Sequence, residues 1–127
     1  MDNNKATNAS NLFKVGQFNS KFNEILEINL PLADIMQSTG LEAHIRKRHE
    51  NCLRYLDKIS EIIENPDFIG KNQREPNSIE LIKVYEDNIL IAIKLDESSN
   101  SLYIASLYEV KQSRIDSRLH SGRLKRF

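Results

Sequence analysis

At 127 residues, with 39% hydrophobic and 28% charged side chains, the chain is sized for one domain with a modest core. No apolar run approaches the roughly 18 residues of a membrane-spanning helix, and the single cysteine, Cys52, excludes an intramolecular disulfide and a cysteine-rich zinc site. The net charge of zero hides a split. Residues 111–127 hold Lys111, Arg114, Arg118, Arg123, Lys125 and Arg126 against Asp116 alone, while the rest of the chain is acidic; a basic end of this kind fits a polyanion, an acidic protein partner, or simply a solvated tail.

The first residues, MDNNKATNASNL, are polar and aperiodic and read as a leader or linker remnant, which sets the boundaries at 1–14 for the leader and 15–127 for the domain. The next stretch, FKVGQFNSKFNEILEINL, predicts one or two short strands with a turn near Asn19 and Ser20. Pro31 breaks that pattern, and LADIMQS reads as one or two helical turns ending at Gly40. From about Leu41 to about Asn65 the spacing predicts one long helix. Leu41, Ile45, Cys52, Leu56, Ile59 and Ile63 fall on a stripe roughly 60° wide, and Pro66 stops the element. Residues 65–78 read as a turn-rich loop. IELIKVY (79–85), ILIAIKL (89–95) and LYIASLYEV (102–110) are β segments joined by short polar connections, which predicts an antiparallel meander. The basic end predicts a short helix through about His120, terminated by Gly122.

EAHIRKRHENC places His44, His49 and Cys52 within a few turns of the predicted helix. On a regular helix His49 lies near the centre of the apolar stripe and His44 about 140° away. Metal-binding helices use histidines four apart, so a five-residue spacing does not converge on one ion, and no further ligand cluster is evident. Taken alone, His49 reads as a hydrogen-bonded core imidazole, His44 as a solvated residue and Cys52 as a small buried hydrophobe. The functional reading needs partners elsewhere in the chain. Metal-free RNA cleavage has such a demand: a base for the ribose 2′-OH, an acid for the leaving 5′ oxygen, and cations and hydroxyls at the phosphate. Histidine suits the proton transfers and arginine the phosphate.

HIRKRH on a helix, IIENPDFIG closing it, SIELIKVY, LYIASLYEV and the terminal RIDSRLHSGRLKRF together resemble, in order and spacing, the phage-type barnase–EndoU–colicin–RelE (BECR) nucleases, in their third phage-type subgroup, over residues 15–127. The resemblance implies an α+β fold, with N-terminal helical structure and one long helix packed on an antiparallel sheet of about four strands. It implies a ribonuclease without metal or cofactor, directed at tRNA or another structured RNA. It also implies a toxin setting: an immunity protein as partner, no membrane association, action in the bacterial cytoplasm, and delivery as the C-terminal part of a secreted or phage protein. Carried onto this chain, the family's pattern assigns catalysis to His44, His49, Lys83, Ser106 and Tyr108. It assigns RNA binding to Lys47, Arg48, Lys111, Arg114, Arg118 and Arg123.

The same residues have plainer readings. Lys83 in an apolar strand can snorkel to an edge, and Ser106 can be a small residue in a packed strand. Strand parity puts Leu102, Ile104, Ser106, Tyr108 and Val110 on one face of the last meander strand. Glu80 and Glu109 read more naturally as solvent-facing strand charges, though some BECR enzymes use an acidic residue as base. The competing function is a catalytically silent RNA- or protein-binding module on the same fold, or a structural domain of a phage particle.

Overall fold

The computed structural model describes residues 11–127, so residues 1–10 of the expected leader lie outside the described part. The leader's remaining boundary moves: Leu12–Gln17 form strand β1, because they pair antiparallel with β2, Asp34–Ser38. Between these strands runs helix α1, Ser20–Leu26. Asn19, expected in a turn, is its N-cap, with the side-chain oxygen accepting from the Lys21 amide at 2.9 Å. Phe22 and Leu26, one helical turn apart, are its buried face, so the second expected strand here is helical. Asn23 then clamps the return loop by donating to the Leu30 carbonyl and accepting from the Leu30 amide. LADIMQS is likewise corrected. It reaches β2 rather than a helix because the sheet offers it partners on both sides, β1 and the parallel strand β6, Ser101–Glu109.

The long helix of the sequence reading is three pieces. Helix α2 spans Gly40–Arg48, a 3-10 segment spans Glu50–Lys58 and helix α3 spans Ile59–Glu64. The break falls at His49, whose backbone leaves helical space at φ −144°, ψ 55°. Beyond it the buried residues Cys52 and Tyr55 are three apart, the repeat of a 3-10 turn. Over so short a run a period of 3.0 cannot be told from 3.6 by spacing alone.

The sheet has seven strands, not about four, and is mixed. Its order is β1-β2-β6-β5-β4-β3-β7, with β3 Phe68–Lys71, β4 Ser78–Val84, β5 Asn88–Asp96 and β7 Leu124–Arg126. Strands β4, β5 and β6 form the expected antiparallel meander. Strand β3, read from sequence as loop, exists because β4 and β7 both pair with it. Helix α4, Gln112–Ser121, ends at Gly122 in the left-handed conformation (φ 83°), as the sequence suggested.

Two cores flank the sheet. On one face α1, α2 and α3 cover Ile79, Leu81, Ile89, Ile91 and Leu107; on the other, α4 lays Ile115 over Phe68, Ile82, Leu90 and Leu124. Gly70 is where the second face closes against β7: a β-carbon there would stand 2.9 Å from the Arg123 carbonyl oxygen and 3.2 Å from Leu124. Gly70→Ala should therefore force β3 and β7 apart and cost about 1–3 kcal/mol, the range for overpacking a filled site. A urea midpoint unchanged from wild type would show that the β3–β7 closure is not under this constraint.

Candidate functional site

A β-bulge in β6 decides what the last strand presents. The register runs Ala92↔Ser106 and then Ile93↔Ile104, leaving Ala105 as the extra residue. Parity therefore flips at Ala105. Leu102, Ile104 and Leu107 join the core under α1–α3, whereas Tyr108 joins the face of α4. Ser106, two residues from Tyr108, shares its face. The single face expected for Leu102 through Val110 is thus corrected by one inserted residue.

The cross-strand rows bring further groups to this face. Glu80, Ala92 and Ser106 form one row across β4, β5 and β6, and Ile82, Leu90 and Tyr108 form the next. Lys83 falls in the neighbouring row with Ile89 and Glu109, so it emerges on the opposite face, where its ammonium donates to the Asn65 carbonyl at 2.8 Å. The family's pattern grouped Lys83 with Ser106 and Tyr108 in catalysis. The two-residue period of the strand separates it from them and gives it the end of α3 to hold.

His49 reaches Tyr108 around an edge. Strand β2 pairs with β6 only at Leu102 and Tyr103, so past the bulge the outer side of β6 is taken by α2 and the 3-10 segment. Asn51 there donates to the Glu109 carboxylate at 3.1 Å. The helix break turns the His49 imidazole out of the apolar stripe and onto Tyr108, with ring centroids 5.6 Å apart and planes 32° apart. His49 is half-buried. His44 is exposed one turn back, its ring centroid 6.3 Å from that of His49. Lys47 and Arg48 are exposed in the last turn of α2, immediately before His49 in the chain.

On the other side of Tyr108 lies an ion pair. Arg118 of α4 approaches the Glu80 carboxylate at 3.2 Å, and both side chains are largely covered (17% and 12% exposed). Burial pushes the Glu80 carboxyl above its usual value of 4.5, opposed by the positive charges of Arg118 and Arg123. Burial also raises the Tyr108 phenol, with the Glu80 charge adding to it and Arg118 and Arg114 acting against it. Glu80, Arg114, Arg118 and Arg123 line a polar cavity of about 560 Å³ together with Asn72 and Gln73. A larger cavity, about 630 Å³, lies at β1 and the 3-10 segment, walled by Phe13, Val15, Leu53 and Leu56, and contains none of these groups.

The structure thus brings together His49, Tyr108, Arg114, Arg118 and Arg123 of the expected residues, puts Ser106 on the same face, and leaves Lys83 apart. Lys111 is exposed at the N-cap of α4. Glu80 is the residue the sequence reading set aside. Its one signal was a carboxylate inside an otherwise apolar strand, and only the arrival of α4 from the C-terminal end shows that it faces Arg118 rather than water. Among the described residues no group of three or more His, Cys, Asp or Glu gathers in metal-ligating geometry, and no helix is long and apolar enough to cross a membrane.

Chemically the arrangement offers a carboxylate and three guanidiniums lining one polar hollow, with the Tyr108 phenol and the Ser106 hydroxyl on the same sheet face and the His49 imidazole against Tyr108, group types that serve chemistry at a phosphodiester. No curated protein and no solved structure matches the chain. A family model does, over residues 13–117, a stretch that includes His44, His49, Glu80, Lys83, Ser106, Tyr108 and Arg114 and stops just before Arg118. On that match, which spans most of its length, the chain belongs to the family described as phage-Barnase-EndoU-ColicinE5/D-RelE like nuclease3.

Proposed function

We propose that the domain is a metal-independent endoribonuclease. A base takes the proton of a ribose 2′-OH, the 2′ oxygen attacks the adjacent phosphorus, and the bond from phosphorus to the 5′ oxygen breaks as an acid protonates that oxygen. The products are a 2′,3′-cyclic phosphate and a 5′-OH. Glu80 is the base and His49 the acid. Tyr108 and Ser106 contact the phosphate, while Arg118, beside Glu80, and Arg114 bear its charge. His44 stands behind His49 as a neighbouring imidazole. The observation that carries the reading is Tyr108 with His49 against its ring and Glu80–Arg118 close enough to displace its ionisation. An imidazole and a carboxylate thus approach one tyrosine from two sides.

The proposed substrate is tRNA or another structured RNA, cut in the bacterial cytoplasm by a toxin domain that an immunity protein restrains; the charge split supports a polyanionic substrate. The Lys and Arg side chains from Lys111 onward, with Lys47 and Arg48, hold its backbone.

Purified protein incubated with total RNA in excess EDTA should cut it, and end mapping should find cyclic phosphates. Cleavage that appears only on adding Mg²⁺ or Zn²⁺ would overturn metal independence. A mobility shift with intact RNA would favour the silent binding module. For the toxin assignment, induction of the gene in a bacterial host should arrest growth, and unimpeded growth with active enzyme in the cells would refute it.

A further inference from the structure

The polar hollow over Glu80 does not end at Arg123. A second cavity of about 470 Å³ adjoins it, and the two share Gln73 and Arg123 as lining residues. Its other walls include Lys71 at the end of β3, Lys125 in β7 and Glu27 at the end of α1. The chain geometry explains the path. Leu124 faces Gly70 on the α4 side of the sheet, so its neighbours Arg123 and Lys125 lie to either side of it along the edge strand. Lys125 pairs with Ile69, whose side chain belongs to the core under α1–α3, and Lys71 has the same parity as Ile69. The two lysines therefore emerge on the far face, and Arg123 stands at the turn between the faces. The groove starts at Glu80 and Arg118, passes Arg123 and wraps the β7 edge to Lys71 and Lys125.

The outer chamber's charge is mainly positive, with Lys71, Arg123 and Lys125 against Glu27. Lys71, Arg123 and Lys125 are exposed and have no carboxylate within ion-pair distance among the described residues, whereas the inner chamber's Arg118 is already paired. Solvated cations spread along a groove suit the phosphates of a flexible strand. A rigid duplex does not wrap a three-residue edge strand, while an unpaired strand does. Gln73, at the junction, carries an amide donor and an amide acceptor, and Glu27 adds a second acceptor opposite the cations. These are the groups that meet the Watson–Crick edge of an unstacked base.

Resting on the RNA reading above, we propose that the outer chamber is a subsite for unpaired RNA beyond the cleaved bond, in which Lys71, Arg123 and Lys125 hold the backbone phosphates and Gln73 and Glu27 meet a base edge. The family match ends at residue 117, so Arg123 and Lys125 lie outside it, while Glu27, Lys71 and Gln73 lie within it.

The test uses uncleavable 2′-O-methyl oligonucleotides of two, four, six and eight residues, with the full chain and Lys71→Gln/Lys125→Gln. Both substituted side chains are exposed, so the fold should be kept, and circular dichroism checks that it is. Wild-type affinity should rise with length. The double variant should lose an increasing share of that rise, and its salt slope on the longer oligonucleotides should fall by up to about 1.4, about 0.7 for each phosphate contact removed from a single strand. Equal affinities and slopes for the folded variant and wild type at every length would overturn the subsite while leaving the nuclease reading untouched. Length-dependent binding that the variant loses, in a protein that cuts no RNA, would uphold the subsite and refute the nuclease reading. No oligonucleotide binding by wild type would overturn the subsite, and the cleavage of total RNA decides the nuclease reading separately.

Discussion

Replacing His49 by alanine should lower the rate of RNA cleavage at saturating substrate by about 10²- to 10⁴-fold, the contribution general acid–base groups usually make. The expectation rests on position. The imidazole is half-buried against Tyr108, held there by a backbone that leaves the helix at this one residue. The loss should appear in the saturated rate and much less in the Michaelis constant, because the group acts in the transition state and not in binding the ground state. His44→Ala, at an exposed imidazole one turn back, should cost less than about tenfold. Added imidazole should restore part of the His49→Ala rate but none of any rate lost through misfolding. A folded His49→Ala protein that cuts at the wild-type rate would remove His49 from the reaction. Equal losses at His44 and His49 would mean that the two imidazoles act as a unit.

Glu80→Gln should be comparably damaging, about 10²-fold or more, and should also remove a limb from the pH profile. A base works deprotonated. Burial raises the Glu80 carboxyl above 4.5, so the ascending limb of kcat/KM in the wild type should lie above the ordinary carboxylate range and should be absent in the variant. Arg118→Gln should push that limb higher still, because Arg118 is the main charge opposing the rise. The stability consequence has the opposite sign to the activity one. A group whose folded pKa is raised favours the fold below its unfolded value near 4.5, and that contribution is lost as pH rises through the folded value. Ionised Glu80 thus works against folding at neutral pH, and Glu80→Gln, which can still accept from Arg118, should not be less stable there by more than about 1 kcal/mol. Urea midpoints at pH 7.5 and pH 4 measure this. A variant that is fully active would exclude Glu80 as the base, and one that is badly unfolded at neutral pH would make the ion pair structural.

Read in sequence, the meander was plain. Val, Ile, Leu and Tyr in alternation, cut by Glu86–Asp87–Asn88 and by Asp96–Asn100, need only local chemistry to pair. So were α4 and its stop, since Gly122 is the residue that tolerates the left-handed cap. The family was also legible, because order and spacing of segments survive without knowing how they pack. What the sequence misassigned depends on neighbours far along the chain. PDFIGK becomes a strand because β4 pairs with it on one side and β7, more than fifty residues later, closes on it at Gly70 on the other. LADIMQS becomes one because β1 pairs with it on one side and β6 lies parallel on the other. The helix of 41–65 breaks at His49, where the ring packs on Tyr108 at the β6 edge, and apolar spacing does not encode such a break.

The site divides in the same way. The order and spacing of the family's segments singled out His49, Tyr108 and the terminal arginines, whose residue types can move a proton or hold a phosphate. Which of them share a face was decided by one extra residue in β6. With Ala105 bulged, Ser106 and Tyr108 turn toward Glu80 and α4, and Lys83 is left behind on the other face. Side-chain direction in a strand has a period of two, so a single unpaired residue reverses every assignment beyond it, and that reversal is set by pairing across the sheet and not by the order of residues along the chain.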